Sequence, residues 1–337
     1  MRIGIDLMGS DHSPHALFDA IIQAAKQYPD LFFSVFTTKE TADILRDFHK
    51  QLLSIGQMAQ VDFECAEQVI TMRDDPMVAI RKKKNSSLVM GVKAVKSKQI
   101  DAFISAGNTG ALMAAATFTL PMLPGMRRLG LMATLPTERA PMAVLDVGSS
   151  LVCNAEHLVS FARVGAAYQR VYHEIQLPRV ALLNIGVESK KGTQEHQKAY
   201  QLLQDHAVGD RFEFMGNVEG RDVFQGRVDL LVTDGFTGNV LLKTSEGVAF
   251  FIMDFLRKSA LTSPSGHLQH LLQELQSHFS YAEYPGAILL GVEGIIVKCH
   301  GDSSSRALYN AIKASITYVE RDLIAKIKKE LEAPLST

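Results

Sequence analysis

The sequence predicts an α/β fold in which a mostly parallel sheet is covered by helices on both faces. Short, unbroken apolar segments alternate with helical segments along the 337 residues, and a glycine-rich loop follows most of the apolar segments. Such segments are typical of strands that are buried on both faces of a parallel sheet. No low-complexity linker and no repeat of fixed period interrupts the alternation, so we expect a single α/β domain over residues 1–337.

Six strand–loop–helix units account for most of this alternation. Their strands are RIGIDLM from Arg2, DAFIS from Asp101, MAVLDV from Met142, RVALLNI from Arg179, VDLLVT from Val228 and GIIVKC from Gly294. The first helix opens near Pro14, and proline suits a first helical turn because no amide hydrogen bond is lost there. Further strands are predicted at Leu31–Thr37, Leu129–Thr134 and Phe212–Phe214.

One segment departs from this pattern and predicts a protruding helical hairpin, inserted at about residues 244–280. An apolar helix at Val240–Leu261 is followed by a polar turn and then by His267–Phe279, in which leucines recur at helical spacing. Such a hairpin is either a core or dimer-interface element, or an amphipathic element that touches a membrane or a partner. The sequence leaves both interpretations open.

Composition excludes several classes of protein. Lys and Arg number 35 against 36 Asp and Glu, so a broad electrostatic grip on nucleic acid is not expected. Cys65, Cys153 and Cys299 stand singly with no CxxC, which excludes a disulfide scaffold and a cysteine-rich zinc site. The N-terminus reads as a strand and not as a signal peptide, and the longest apolar stretches are shorter than the ~18 residues of a membrane span. We expect a cytoplasmic protein.

Loops at the carboxyl ends of parallel strands line the ligand crevice, and the helix N-termini that follow them attract anions. The loop SAGNTG is the best candidate for a phosphate site, because it is small, polar and rich in backbone amides. Its candidate ligands are Ser105, Gly107, Asn108, Thr109 and Gly110. The loop is neither GxGxxG nor a Walker A motif, and the alternative interpretation is a tight strand-to-helix turn.

Asp6, Asp11 and His12 form a second candidate cluster after the first strand. A histidine within reach of an aspartate acts as a general base or as an orienting donor, whereas the alternative is a helix cap or a surface residue. The three positions also suit a metal site, but no second histidine at ligand spacing supports one, so we expect no metal.

Two further loops carry lysines. Glu188, Lys190 and Lys191 lie between two glycines, and a lysine there would neutralise phosphate or a developing oxyanion; the alternative is a solvated turn. In TDGFTGNVLLK, Asn239 and Lys243 are one helical turn apart and share a face. The polar candidates of this second loop are Asp234, Thr237, Asn239 and Lys243.

A basic run covers Arg81, Lys82, Lys83 and Lys84, and Arg127–Arg128 forms a weaker patch. Such a run is either a solvated face or a docking surface for an acidic partner or an anionic headgroup. No GxSxG elbow is present, and we expect Cys153 and Cys299 to be buried structural thiols rather than nucleophiles.

Taken together, the loops resemble those of one family, the bacterial acyl-ACP:phosphate acyltransferases (PlsX). The resemblance covers the chain from Met1 to about Ile316. The family's motifs SAGNTGALM, GNVEGRD and DGFTGNVLLK are intact, and its opening DAMGGDHAP reads DLMGSDHSP here. Its LDVGAN, NIGEE and GGAP motifs are also present, with departures at Ser10, Ser150, Val187, Tyr284 and Ile288.

This resemblance implies that long-chain acyl-ACP and inorganic phosphate react to give acyl phosphate and free acyl carrier protein (ACP), in phospholipid synthesis. It also implies a homodimer whose fold is like that of phosphotransacetylases and of the isopropylmalate dehydrogenase group. The family's hairpin, which helps to form the dimer and touches the membrane, would map onto Thr244–Phe279. The partner that follows in the pathway would be a glycerol-3-phosphate acyltransferase.

A mechanism consistent with the residues and with the resemblance has phosphate attack the thioester carbonyl directly. A phosphate monoester has a second pKa of about 6, and with inorganic phosphate comparable to it, a dianionic nucleophile is present near pH 7. We assign phosphate binding to the SAGNTG loop with His12, charge neutralisation or oxyanion stabilisation to Lys191, and substrate positioning to Asp234 and Asn239; the resemblance adds weight to Lys191 and Asn239. No metal or nucleotide cofactor is expected.

Three alternatives remain open at this point. The first is an NAD-linked decarboxylating dehydrogenase on the related fold, for which the sequence offers no convincing ribose-binding acid or metal-binding aspartate cluster. The second is a phosphotransacetylase that acts on acyl-CoA. The third is a non-catalytic ACP-binding scaffold at the membrane, which the basic run and the hairpin would serve.

Overall fold

The computed structural model describes residues 1–52, 60–206, 211–262 and 286–332, together with Leu275. Within these ranges, eleven strands form one sheet. The strands are β1 (Arg2–Asp6), β2 (Phe32–Thr38), β3 (Val61–Ala66), β4 (Ala102–Ser105), β5 (Gly130–Leu135), β6 (Met142–Leu145), β7 (Arg179–Asn184), β8 (Glu213–Glu219), β9 (Leu230–Val232), β10 (Ala287–Leu290) and β11 (Ile295–Lys298).

The helices in the described ranges connect these strands. They are α1 (Pro14–Gln27), α2 (Lys39–Leu52), α3 (Pro76–Lys82), α4 (Ser87–Lys96), α5 (Thr109–Thr119), α6 (Ala155–Tyr172), α7 (Gln194–His206), α8 (Gly235–Thr262), α9 (Ser305–Glu320) and α10 (Leu323–Glu332), with a 3-10 turn at Gly220–Gln225. The predicted helix starts are confirmed at Pro14, which occupies the first turn of α1, and at Asn154, which caps α6.

The sheet consists of two parallel groups of strands that run in opposite directions. The strand order is β3-β2-β1-β4-β11-β10-β5-β6-β9-β7-β8. The first parallel group runs from β3 to β11, and the second contains β6, β9, β7 and β8. Three antiparallel pairings in succession, β11–β10, β10–β5 and β5–β6, separate the groups, and an odd number of reversals leaves them opposed.

The register across these reversals brings the carboxyl ends of both groups to the middle of the sheet. Val297 of β11 pairs with Ile288, which pairs with Met132 of β5. Met132 in turn pairs with Leu145, the last residue of β6. The loops that follow the first group and those that follow the second therefore open towards the same central region.

Helices cover both faces of this sheet, as the alternation in the sequence predicts. Successive strand residues point to opposite faces. Val297 packs in one apolar cluster with residues of α1, α6 and α9, whereas Ile296 packs in another with residues of α4 and α5. The predicted fold class is confirmed.

The structure describes only part of the predicted hairpin. Its first arm lies within α8, which begins at Gly235, five residues before the predicted start. The turn and the second arm lie outside the described residues, apart from Leu275. Across the part of the chain that the structure describes, no helix combines the length and apolarity needed to cross a membrane.

Candidate active site

A cavity of about 600 Å³ lies where the carboxyl ends of the two groups meet. Loops after β1, β4 and β11 form one side, loops after β6 and β9 form the other, and β5 contributes Leu131 and Ala133. Its wall is mostly apolar but also contains charged and polar side chains. The polar members used below are Asp11, Thr109, Asn239, Lys243, Glu246, Lys298 and His300.

The SAGNTG loop is held firmly by its own polar side chains. Ser105 donates its hydroxyl proton to Asp6 Oδ2 at 2.8 Å and accepts a hydrogen bond from the Gly107 amide at 3.1 Å. Asn108 accepts from the Ala111 amide, which caps α5, and donates to the carbonyl oxygens of Thr71 and Asp74. Both side chains are therefore committed to the fold of the loop.

Thr109, the first residue of α5, is the member of this loop that lines the cavity. The N-terminus of a helix carries unpaired backbone amides and a partial positive charge, which favour an anion. Gly110 is required for packing, since a Cβ there would lie 2.6 Å from Pro76 Cγ. Thr109, at the start of the helix, is therefore the part of this loop that reaches the cavity.

The three residues of the candidate cluster after β1 lie in three different surroundings. Asp6 is buried beneath the loops, and burial raises its pKa to about 6 against the hydrogen bonds from Ser87, Met8 and Ser105. Asp11 lines the cavity and donates its amide to the Gly301 carbonyl oxygen at 3.0 Å. His12 turns outwards and lies 2.8 Å from Asp302. The structure does not bring these three residues together as one acid–base group.

The loop after β9 behaves as its spacing predicts. Asp234 caps α8, because its carboxylate accepts from the amide and from the hydroxyl of Thr237, each at 2.8 Å. Asn239 and Lys243 both line the cavity from one face of α8. Lys243 forms an ion pair of 2.7 Å with Glu246, one turn further along the helix.

Lys191 lies in the loop after β7, one strand beyond β9, and it is not part of the cavity wall. Its side chain is half exposed, and its ammonium is 3.9 Å from Glu188. In the basic run, Arg81, Lys82 and Lys84 are exposed. Lys83 instead contacts Asp74 at 2.7 Å and the Val69 carbonyl oxygen at 2.9 Å, so it stabilises its own loop.

Sequence reasoning did not select two basic residues of the wall, Lys298 and His300. Lys298 ends β11 with its side chain buried, and its ammonium donates to the carbonyl oxygens of Ala106, at 3.3 Å, and Cys299. Burial lowers the pKa of Lys298 to about 8. Burial and the nearby charge of Lys243 lower the pKa of His300. A lysine inside the apolar segment GIIVKC was the signal that would have identified Lys298.

A second buried carboxylate shapes the opposite side of the cavity. Asp146 follows β6 and is fully buried, and burial raises its pKa. Its carboxylate accepts hydrogen bonds from the turn that follows it, and Val147, Gly148 and Leu151 of this segment line the cavity. Its donors are the amides of Leu131, Gly148, Ser149 and Ser150 and the hydroxyl of Ser149, at 2.6 to 3.0 Å.

The wall therefore combines two kinds of surface. Lys243 and Lys298, with the start of α5, favour an anion, while Leu131, Val147, Leu151, Phe236 and Leu242 provide apolar contact. Among the described residues, no group of three or more His, Cys, Asp or Glu side chains is arranged to hold a metal ion. The arrangement suits a reaction between a small anion and a molecule with a long apolar part.

The comparisons with known proteins agree with this geometry. The sequence matches the family described as "Fatty acid synthesis protein" over residues 1–326. It is 37% identical to a phosphate acyltransferase of Thermoanaerobacter pseudethanolicus, over 99% of this chain and 98% of the relative. It is 39% identical to a phosphate acyltransferase of Oceanobacillus iheyensis, over 99% and 98%.

The fold is similar to that of a solved phosphotransacetylase. The EutD phosphotransacetylase from Staphylococcus aureus superposes with a TM-score of 0.60, at 15% identity, over 95% of this chain and 94% of the other. At that identity, the likeness concerns the fold alone.

Proposed function

Because the chain belongs to the fatty acid synthesis protein family and is a phosphate acyltransferase, we propose that its substrates are a long-chain acyl-ACP and inorganic phosphate. The products are acyl phosphate and free ACP. The family is the one that the sequence motifs predict, and that prediction is confirmed. The observation that carries the proposed substrates is the cavity wall, in which the two cationic side chains of Lys243 and Lys298 and a helix N-terminus adjoin an apolar surface.

Phosphate is the nucleophile in the proposed reaction. Its second pKa is comparable to that of a phosphate monoester, about 6, so dianionic phosphate is present near pH 7 and needs no strong base. Lys243 and the start of α5 offset its charge and direct one oxygen to the thioester carbonyl carbon. Asn239 donates its side-chain amide to the oxyanion of the tetrahedral intermediate, and Asp234 with Thr237 fixes the helix that carries it.

The assignment of Lys191 to charge neutralisation or oxyanion stabilisation stays a prediction, made from its loop and given weight by the family resemblance. Its loop follows β7, which is adjacent to β9, so it opens on the same side as the helix that carries Asn239. The ion pair with Glu188 is long, at 3.9 Å, and leaves the ammonium available to a substrate.

The acyl chain lies against the apolar part of the wall. Leu131, Val147 and Phe236 are among the side chains that would cover it. Each buried methylene contributes about 0.8 kcal/mol, which favours long chains over an acetyl group. This surface distinguishes the proposed substrate from the acetyl thioesters of small phosphotransacetylases.

The acyl carrier protein is proposed to dock beside α3. Arg81, Lys82 and Lys84 are exposed there, and α3 packs against α5, which opens onto the cavity. An acidic carrier would be steered to this surface by charge. We also propose that the chain forms a homodimer and touches the membrane through the hairpin, where α8 exposes Phe250, Phe251 and Phe255.

Acyl phosphate is a mixed anhydride and a strong acyl donor, so an acyltransferase with a hydroxyl acceptor would consume it. The proposed consumer is the glycerol-3-phosphate acyltransferase of phospholipid synthesis. A cytoplasmic enzyme at the inner face of the membrane would release its lipid-like product close to such a partner.

The test is turnover of the purified protein with palmitoyl-ACP and phosphate, followed by mass spectrometry of palmitoyl phosphate and free ACP. We expect product that depends on phosphate. Parallel reactions with palmitoyl-CoA separate the two carriers, and a clear preference for CoA would replace ACP in the proposal. Absence of product from a folded protein that still binds ACP would favour the non-catalytic scaffold.

A further inference from the structure

Lys298 lies in a row of three polar side chains at the carboxyl ends of adjacent parallel strands. Ser105 of β4 is the register partner of Asp6 on one side and of Lys298 on the other. Residues in register point to the same face of a sheet. The row is buried, and at its β11 end the Lys298 side chain forms part of the cavity wall.

The ammonium of Lys298 is fixed in place but not fully used. It donates to the carbonyl oxygens of Ala106 and Cys299. An ammonium carries three N–H donors, so one remains for a group inside the cavity. The remaining N–H bond of this fixed ammonium points in a defined direction, unlike an N–H bond of a flexible surface lysine.

The proposed reaction needs such a proton at one particular moment. When the thioester C–S bond breaks, sulfur leaves with the bonding electron pair and must gain a proton to become a thiol. The attacking phosphate carries one proton, which the product acyl phosphate loses because the acyl group makes it more acidic. A group that passes this single proton from phosphate to sulfur balances the reaction.

The other titratable groups of the described cavity wall are less suited to this transfer. Asp11 and Glu246 are carboxylates, which accept hydrogen bonds when ionised. Lys243 is paired with Glu246 at 2.7 Å. Burial raises the pKa of Cys299 to about 11, and the lowered pKa of His300 leaves its ring neutral.

We infer that Lys298 is the proton donor to the departing sulfur, an inference that rests on the proposed function. Phosphate oxygen bonds to the carbonyl carbon, the C–S bond breaks, and the Lys298 ammonium protonates sulfur. The neutral amine then takes the proton of the newly formed acyl phosphate, which restores the enzyme. The products are dianionic acyl phosphate and a free thiol.

The electrostatic surroundings of Lys298 are consistent with this role. Burial lowers its pKa to about 8, close to the ~8.5 of an alkyl thiol, and a close match favours transfer in both directions. The charges that face it come from several elements. Asp6, Asp11 and the Cys299 thiol act to raise the pKa, and Lys243 acts to lower it.

The test compares two leaving groups. Lys298→Met and Lys298→Gln are assayed with octanoyl-ACP and with the octanoyl ester of 4-nitrothiophenol, whose thiolate leaves without protonation. We expect kcat with octanoyl-ACP to fall by ~10²–10⁴-fold and kcat with the aryl ester to fall less than ~10-fold. Lys96→Met, at an exposed position that ends α4, is the control and should leave both rates unchanged.

The outcomes distinguish a proton donor from a residue that binds phosphate or supports the fold. An equal loss with both esters in both variants would show that Lys298 binds phosphate or supports the fold, and would overturn the inference. The wild-type rate with octanoyl-ACP tests the proposed function separately in the same experiment. If the wild type accepts CoA thioesters only, the comparison is made with octanoyl-CoA, whose leaving group is also an alkyl thiol.

Discussion

The hydroxyl of Ser10 donates a hydrogen bond to the carbonyl oxygen of Gly301 at 2.8 Å, although 291 residues separate them. Ser10 also accepts a hydrogen bond from the His12 amide. Its side chain thus joins the loop after β1 to the loop after β11, next to Asp11 in the cavity wall. The related motif has glycine at this position, so this chain has gained a contact between the two loops.

Removal of that contact should weaken the fold by a measurable amount. Ser10→Ala is expected to lower the free energy of unfolding by about 1 kcal/mol, the contribution of one hydrogen bond. Ser10→Gly should cost a further ~0.4–1 kcal/mol through the entropy of the unfolded chain. Urea unfolding of the two variants and the wild type measures both. Equal stability of all three would show that the hydroxyl contributes nothing.

Lys243 should affect phosphate rather than the acyl carrier. We expect Lys243→Ala to raise KM for phosphate by about tenfold, or ~1.4 kcal/mol, a small loss for a charge-assisted contact, and to leave KM for palmitoyl-ACP within twofold. Steady-state kinetics with each substrate varied in turn give both values. Lys258→Ala is the matched control, because Lys258 lies further along α8 and pairs with Asp254. An unchanged KM for phosphate would remove Lys243 from the anion site.

Variants of Lys191 and of the adjacent Lys190 distinguish a catalytic lysine from a surface lysine. Lys191→Ala should lower kcat by ~10²–10³-fold, the scale of one lost oxyanion donor. Lys190→Ala changes the adjacent lysine of the same exposed loop and should keep kcat within twofold. Turnover of both variants with palmitoyl-ACP and phosphate checks the prediction. Near-normal turnover of Lys191→Ala would exclude it from the mechanism.

Asp6 should make stability depend on pH in an uncommon direction. Its pKa is raised to about 6 in the fold, so between about pH 4 and 6 the folded state binds more protons than the unfolded chain does. Stability from this group is therefore complete at low pH and is lost as the pH rises through 6, by about 3 kcal/mol.

Asp6→Asn removes this titration. Relative to the wild type, the variant should gain about 3 kcal/mol in the free energy of unfolding between pH 4 and pH 7, as measured by urea unfolding at each pH. Asp19→Asn alters an exposed carboxylate on α1 and should show no such trend. A constant difference between Asp6→Asn and the wild type would mean that Asp6 stays ionised when buried.

The exposed part of the basic run should act on the carrier alone. Reversal of Arg81, Lys82 and Lys84 to glutamate is expected to raise KM for palmitoyl-ACP by at least tenfold at low salt, with little change for palmitoyl-CoA. Lys83 is left unchanged, because it forms an ion pair with Asp74. A control that reverses Lys26, Lys326 and Lys329 makes the same change of charge at other exposed positions. Equal effects of the two triple variants would exclude a specific docking surface.

The sequence predicts the strands that are unbroken apolar runs better than the others. β3 was not predicted, because it lies at the edge of the sheet and its segment VDFECA mixes charged with apolar residues. β10 was not predicted either, because its segment AILL has only four residues and overlaps the motif that resembles GGAP in the sequence. Apolar runs also carry no information on direction, so the antiparallel pairings of β10 and β5 were not foreseen.

The site was predicted where side-chain spacing determines it and not where tertiary contacts do. Asn239 and Lys243 share a helix face, and both reach the cavity. His12 was assigned beside Asp6, but its partner is Asp302, from a loop 290 residues further along the chain. Lys298 was not predicted, because it ends a strand instead of lying in the loop that follows, although a lysine in a buried apolar strand is itself a signal.

The place of β10 and β11 in the sheet has a consequence for synthesis. These two strands lie between β4 and β5, and within the described sheet they connect the first parallel group to the remainder. Among the strands of the described sheet, they are the last to leave the ribosome. A nascent chain that ends before Ile295 therefore has two separate sets of strands with exposed central edges and no substrate cavity. Chaperone contact during translation should be concentrated on those edges until the final strands arrive.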